Sequence, residues 1–402
     1  MIKKIAKEKG TPFYIFNEQG FVENYKNLDK ALKSVYNNYV ISYSYKTNYT
    51  PYIAKLVKNL GGYAEVVSDM EYLLAKKIGY RNDHIVYNGP SKGVLMYEHL
   101  EDNGIINIDS LDEAKLIVNY CNEHPNRQYS CGLRINMDLG GDFISRFGVS
   151  PESKDMETFK FLIRNTCNLK LVGIHCHISR HRKLEDWAKR SEIMLDVADS
   201  LFSDAPDYIS LGSGMFADME RVLKNQFGGE SVPSYYDYAR VALEPISQHY
   251  SECAKKPILF TEPGTTLIAR YISFISKVLS IKEIRGKHFA NMDGDYHNLG
   301  EICTMKKLPI RIIPSGKDQK TYENLNIMGF TCLEQDLMYP EFEDPIAVDD
   351  LICFGNVGAY SIVSKPQFIN PQSPMYVIKP DSAIVEIMRA ETFNDIFSRF
   401  LF

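Results

Sequence analysis

The chain has 402 residues, 45% of them hydrophobic and 24% charged, with 46 basic against 51 acidic side chains and a formal net charge of −5. That length exceeds what one hydrophobic core usually organises, so a large domain with a smaller companion is expected. The charge is too mild for a nucleic-acid or membrane surface, and no apolar run approaches the ~20 residues that span a bilayer. The start, MIKKIAKEKG, has the charges of a secretory leader with no apolar segment behind them, so a cytoplasmic protein is expected. Eight cysteines (121, 131, 167, 176, 253, 303, 332 and 353) form no CxxC pair, which argues against a disulfide framework or a zinc knuckle.

In chain order, "PFYIFNEQG" is strand-like and precedes eight further β-like runs. These are VISYSYK (40–46), GYAEVV (62–67), HIVYN (84–88), IINID (105–109), CGLRIN (131–136), LKLVGIHCHI (169–178), YISLG (208–212) and ILFTEPG (258–264). Helical start signals lie between them. Ser68 to Glu71 has the capping-box pattern and opens a helix that stops at Gly79; Ser110 to Glu113 repeats the device. "DWAKRSEIMLDVADSLF" (186–202) is apolar every three or four positions. Eight strand-helix units predict a (β/α)8 TIM-like barrel over residues 30–270, with an open doubly wound sheet as the structural alternative. Beyond about residue 270 the texture turns β-rich. Residues 271–402 are expected to form a mostly β C-terminal domain, which the strand within 1–29 joins.

Barrel chemistry collects where strands end. The run-ends offer Lys46, Glu65 with Ser68, Asn88, Asn107, Arg134 with Asn136, His175 with His177, Gly212-Ser213-Gly214, and Glu262-Pro263-Gly264. A rim lysine can form a Schiff base with an aldehyde, and a glycine-rich turn leaves N–H groups free for a phosphate. Together they suggest pyridoxal 5'-phosphate. Singly, each has a plain reading: a solvated lysine, a tight turn, a packed histidine, a strand end. His175 and His177 share a strand face but lack third and fourth ligands, so no metal is expected.

The motifs resemble those of the fold-type III pyridoxal-phosphate decarboxylases, the family of diaminopimelate and ornithine decarboxylases, whose barrel is alanine racemase-like. "YSYKTN" resembles the family's lysine motif. "AEVVSDMEY", "IDSLDE", "SRFGVS" (145–150), "GIHCHIS" (173–179), "LGSG" (211–214), "EPG" (262–264), "CLEQD" (332–336) and "GAYS" (358–361) follow in the family's order.

The resemblance implies a role for each matching residue. Lys46 would carry the cofactor, with Glu65 beside it, and Glu262 would keep the pyridine nitrogen protonated. His177 would stack on the ring and Arg134 orient the site. Gly212, Ser213, Gly214, Gly264 and Tyr360 would line the phosphate end. Cys332, supplied by a second subunit of a homodimer, would act as general acid, and Asp336 would support its loop. Glu262 favours decarboxylation over racemisation, because alanine racemases set an arginine against that nitrogen.

Departures from the pattern concern the substrate. The family's acidic residue after the cysteine is Leu333 here, with Glu334 one step on; EPG is followed by Thr265; and the Gly-Ser after the stacking histidine is Ser179-Arg180. Asp293 resembles an ornithine-type acid that binds a distal amine. The expectation is decarboxylation of an amino acid or amino-acid conjugate other than meso-diaminopimelate, such as a siderophore or secondary-metabolite intermediate. Arg180, Asp293, Leu333, Glu334 and Asp336 are its candidate contacts. The alternatives are a diaminopimelate, ornithine or lysine decarboxylase proper, an amino-acid racemase, and a catalytically silent regulatory homologue.

Overall fold

The structure is a computed structural model that describes residues 1–229, 232–379 and 381–402. It divides into two compact units, Tyr25–Phe216 with Pro233–Thr266, and Met1–Asn24 with Ala217–Val232 and Leu267–Phe402. The segment from Ala217 to Val232 thus joins the second unit, although it interrupts the barrel's sequence.

The strands, in chain order, are β1 (Phe13–Asn17), β2 (Tyr39–Ser44), β3 (Tyr63–Val66), β4 (Ile85–Tyr87), β5 (Ile105–Ile108), β6 (Tyr129–Arg134), β7 (Leu169–His175), β8 (Tyr208–Ser210) and β9 (Ile258–Thr261). Strands β2 to β9 close into a barrel in sequence order, every neighbour parallel, with β2 pairing both β3 and β9. All eight runs read from the sequence are present. Each strand stops short of its run, because the last residues leave the ladder for the turns that carry the rim. Lys46, read as a strand end, lies instead in the 3₁₀ turn Tyr45–Thr47.

The helix starts are local chemistry. Ser68 Oγ accepts from Glu71 N–H, and Gly79 ends the helix Asp69–Ile78 at φ 92°. Ser110 Oγ accepts from Glu113 N–H at the head of the helix Leu111–Glu123. The two glutamates reach back one residue beyond the capping-box pattern: Glu71 Oε2 accepts from Val67 N–H at 2.8 Å, and Glu113 Oε2 from Asp109 N–H at 2.7 Å. Each helix is thereby tied to the exit of the strand before it. Lys92, buried along its side chain, donates to Glu113 Oε1 at 2.8 Å and so fixes the second tie.

The second unit contains β10 (Ile272–Ile284), β11 (Lys287–Met292), β12 (Ile310–Ile313), β13 (Leu325–Met328), β14 (Leu337–Phe342), β15 (Leu351–Phe354), β16 (Met375–Ile378) and β17 (Ile384–Met388). Their order is β14-β13-β11-β10-β1-β16-β17, with β15 pairing β10 and β12. As read from the sequence, β1 joins this sheet, antiparallel to β10 and parallel to β16. Ile5, Phe13, Ile15, Ile275, Leu351 and Tyr376 form a core cluster there. Ile5 comes from a helix, Ile2–Lys9, that the sequence reading left out. Among the described residues no helix is long and apolar enough to cross a membrane.

Burial pushes Glu71 up to about 7 from 4.5, with Glu65 adding to the effect and the Val67 amide and Lys46 opposing it. Its folded-state affinity for a proton exceeds that of the unfolded chain. Stability therefore falls as pH rises from about 4.5 to about 7 and levels off above. Glu71→Gln keeps the oxygen that Val67 uses and should flatten this slope, as measured by urea denaturation across that range.

Candidate active site on the barrel rim

Two buried carboxylates organise the C-terminal mouth of the barrel. Glu65 on β3, 1% exposed, accepts from Lys46 Nζ at 2.5 Å, from the Ser44 hydroxyl at 2.5 Å and from Asn88 Nδ2 at 3.2 Å. Glu262, one residue past β9 and 3% exposed, accepts from Asn88 Nδ2 at 3.0 Å, Ser210 Oγ at 2.9 Å and His175 Nε2 at 3.0 Å. Asn88 thus joins the two acids through one amide. Its own oxygen accepts from Asn107 Nδ2 at 2.8 Å, and Asn107 Oδ1 accepts from the Tyr208 hydroxyl at 2.8 Å.

Burial would raise Glu262, but His175 and the nearby Lys46 charge outweigh it and hold the carboxyl well below the usual carboxylate range. Glu262 is an anion at any physiological pH. Loss of solvent around His177, reinforced by Lys46 and Arg134, pushes its imidazole well below the ordinary value, so it is neutral. Its Nδ1 accepts from Ser213 N–H at 3.2 Å. Arg134 donates to Asp109 Oδ1 at 2.9 Å and to the His177 carbonyl at 3.2 Å, and its guanidinium lies 4.6 Å from the Phe147 ring centre.

The turn Gly212–Gly214 requires glycine at its first position. Gly212 has φ 62°, and a Cβ there would stand 2.3 Å from the Cys176 carbonyl oxygen and 2.9 Å from His177 Cα. Gly264 has no room either: its Cβ would fall 1.9 Å from Thr47 Oγ1. That contact presses the Glu262-Pro263-Gly264 loop against the turn carrying Lys46.

Lys46, Glu65, Arg134, His177, Gly212, Ser213, Gly214, Glu262 and Gly264 are therefore gathered on one rim. Arg180 stands in the exposed loop after β7 with φ 72°, its guanidinium 5.8 Å from the Phe143 ring centre. Beside it, Phe143, Ile144, Arg146, Phe147 and His177 line a cavity of about 210 Å³.

The remaining sequence candidates belong to the second unit. Cys332 and Glu334 are exposed, Leu333 is half-buried, and Tyr360 is 40% exposed with φ 56°. Asp336 is buried; it accepts from Thr331 N–H at 3.0 Å, Thr331 Oγ1 at 2.6 Å and Tyr296 N–H at 2.9 Å, and so anchors the loop that carries Cys332. Asp293 accepts from Thr11 Oγ1 at 2.5 Å, Ser276 Oγ at 2.8 Å and Lys277 N–H at 2.8 Å. The carboxylate is thus held by three donors of its own chain.

Several partners escaped the sequence reading. Ser44 and Ser210 stand two residues before Lys46 and Gly212, buried on their strands, and that spacing was their only signal. Asn88, Asn107 and His175 were visible as run-ends without a role. Asp109 and Phe147 were hidden inside motifs.

An accessible amine, an ionised carboxylate, a neutral imidazole and a glycine turn that admits no Cβ fit a phosphorylated pyridine aldehyde. The fold and this donor set define a pyridoxal-phosphate barrel enzyme. Residues 19–269 match the pyridoxal binding domain of the pyridoxal-dependent decarboxylases, and the chain belongs to that family, an amino-acid decarboxylase with pyridoxal phosphate as cofactor. The diaminopimelate decarboxylase of Archaeoglobus fulgidus is 24% identical, covering 99% of this chain and 94% of that protein. The L-glutamyl-[BtrI acyl-carrier protein] decarboxylase of Niallia circulans is also 24% identical, over 98% and 95% of the two chains. In fold, the chain matches diaminopimelate decarboxylase from M. jannaschii with a TM-score of 0.88 at 22% identity, covering 99% of this chain and 94% of that one.

Asn88→Asp would set a third carboxylate between two others. A stability loss of about 3 kcal/mol at pH 8 is expected from the buried repulsion and the lost donors. The new carboxyl takes up a proton in the folded state, so the deficit should shrink at pH 5, which denaturation at the two pH values checks.

Proposed function

We propose that this enzyme releases carbon dioxide from an α-amino acid, or an amino-acid conjugate, that carries a further carboxylate and is not meso-diaminopimelate. The observation that carries the reading is Arg180. Its guanidinium lies in the exposed loop after β7, in a backbone conformation that side chains seldom adopt, and takes no acidic partner among the described residues. A planar fork of this kind suits bidentate recognition of a carboxylate.

When bound, the cofactor supplies the electron sink for the pair left behind as carbon dioxide departs. Lys46 would hold the aldehyde carbon through its amine, with Glu65 steadying that amine. Glu262 would keep a proton on the ring nitrogen, a role that its anionic state favours and that a cation in its place would not fill. Neutral His177 would pack on the ring. The backbone N–H groups of the Gly212–Gly214 turn would hold the phosphate, and the Tyr360 hydroxyl is the further candidate for that end. Cys332, reaching in from a second copy of the chain in a homodimer, returns a proton to the substrate carbon. Leu333, in place of an acid, removes the charge that a distal ammonium would need, and Glu334 remains the alternative contact.

The near full-length similarity to diaminopimelate decarboxylases favours a second reading, in which meso-diaminopimelate is the substrate. Carbon dioxide release from meso-diaminopimelate, ornithine, lysine, glutamate and citryl conjugates of amino acids separates the two. A carboxylate-bearing substrate other than diaminopimelate should be preferred, and Arg180→Ala should raise its KM on the order of tenfold or more with kcat little changed. Fast turnover of meso-diaminopimelate, unaffected by that substitution, would support the second reading. Lys46→Ala should abolish both turnover and the visible absorption of the bound cofactor.

A further inference from the structure

We infer that Arg190 is a positioning residue for the cofactor's phosphate: a buried cation that turns the backbone of Gly212 and Gly214 outward and supplies charge behind it. This rests on the reading of the Gly212–Gly214 turn as the phosphate site.

Arg190 lies in the middle of the helix Leu184–Leu201 and is 0% exposed. Its Nη1 donates to the Leu211 carbonyl at 2.8 Å and to the Ser213 carbonyl at 3.0 Å, and its Nη2 reaches the His181 carbonyl at 3.5 Å. The guanidinium stacks 4.3 Å from the Trp187 ring centre, while Nε is buried with no hydrogen-bond partner. No carboxylate pairs with it among the described residues. Asp186 is engaged by His181 Nδ1 at 3.3 Å and Lys183 N–H at 3.3 Å, and Glu262 by the rim.

The peptide bond fixes what those two carbonyl contacts do. In a trans peptide the C=O and the following N–H point in opposite directions. Holding the Leu211 carbonyl toward Arg190 therefore turns Gly212 N–H away from it, and holding the Ser213 carbonyl turns Gly214 N–H away likewise. Gly212 N–H makes only a long 3.3 Å contact to Ser210 Oγ, and Gly214 N–H takes no partner among the described residues. The intervening Ser213 N–H goes to His177 Nδ1. One guanidinium thus presents two donors of the turn and leaves the third to fix the histidine.

A buried guanidinium with no acid in contact is costly, and the carbonyl dipoles with the more distant Asp186 and Glu262 offset only part of that cost. A phosphate held by the outward N–H groups supplies the missing negative charge. Arg190 therefore acts on the phosphate end alone and leaves the aldehyde and ring contacts to other residues.

The discriminating ligand pair is pyridoxal phosphate and pyridoxal, which differ only in that group. With the full-length protein, Arg190→Met should weaken pyridoxal phosphate on the order of 30-fold by visible absorbance titration, while pyridoxal changes less than about threefold. Arg190→Lys keeps the charge without the fork and should recover part of the loss. If the Met variant fails to fold, the Lys variant carries the test, with a selective loss of about threefold or more for pyridoxal phosphate expected. Equal weakening of both ligands, or of neither, overturns the assignment. Gly212→Ala tests the underlying reading. Retained preference for pyridoxal phosphate in that variant would overturn the turn as phosphate site, whereas loss there with retention in the Arg190 variants would overturn Arg190 alone.

Discussion

The barrel mouth depends on one amide. Asn88 donates to Glu65 and to Glu262, and without it two nearly solvent-free carboxylates would stand on the same rim with no common partner. Buried anions persist only where donors surround them. Here Ser44, Lys46, Ser210 and His175 supply the rest, so the two acids and the lysine form one connected network. Asn107 and Tyr208 extend it across the barrel interior. Such a network fixes geometry as a unit, because displacing any member leaves a neighbour unsatisfied. It also separates the acids by role: Glu65 faces the lysine, while Glu262 is kept anionic by His175 and Lys46.

Arginines fix the loops that the strands release. Arg134, on the last residue of β6, grips the His177 carbonyl and Asp109. Arg190, on a helix, grips the carbonyls of Leu211 and Ser213. In both cases a planar fork satisfies backbone oxygens that a loop at a strand end would otherwise leave unpaired. The glycines complete the same task by exclusion. Gly212 and Gly264 let one loop approach another at distances no side chain allows, which brings the histidine to the Gly212–Gly214 turn and the lysine to the carboxylate loop.

Much of this was legible in the chain because barrel strands are largely buried on both faces and read as short, mostly apolar runs. All eight appeared, and the rim residues could be read as the ends of those runs. What the sequence could not supply was which ends meet. Glu65 and Asn88 lie on neighbouring strands, but the bond from Asn88 to Glu262 joins residues 174 positions apart. Nor does composition tell a serine facing a carboxylate from one in a loop. The helix Ile2–Lys9 was missed for the opposite reason: only Ile5 is fully buried, with Ile2 and Ala6 partly buried beside it, against a sheet assembled from distant segments. Nor did the motif show how Asp293 is held. Its carboxylate has three donors from the chain itself, two of them one residue apart on β10.

Three of the departures from the family's pattern fall where a change disturbs little. Arg180 and Glu334 are exposed and Leu333 is half-buried, each outside the network of buried acids. A side chain there can change without orphaning a buried donor or a carboxylate. The buried rim residues have no such freedom: replacing Asn88, Ser210 or Gly212 breaks contacts that other members need. These three positions lie in the loop after β7 and the segment beside Cys332. Those side chains can vary while the buried network of the rim stays fixed.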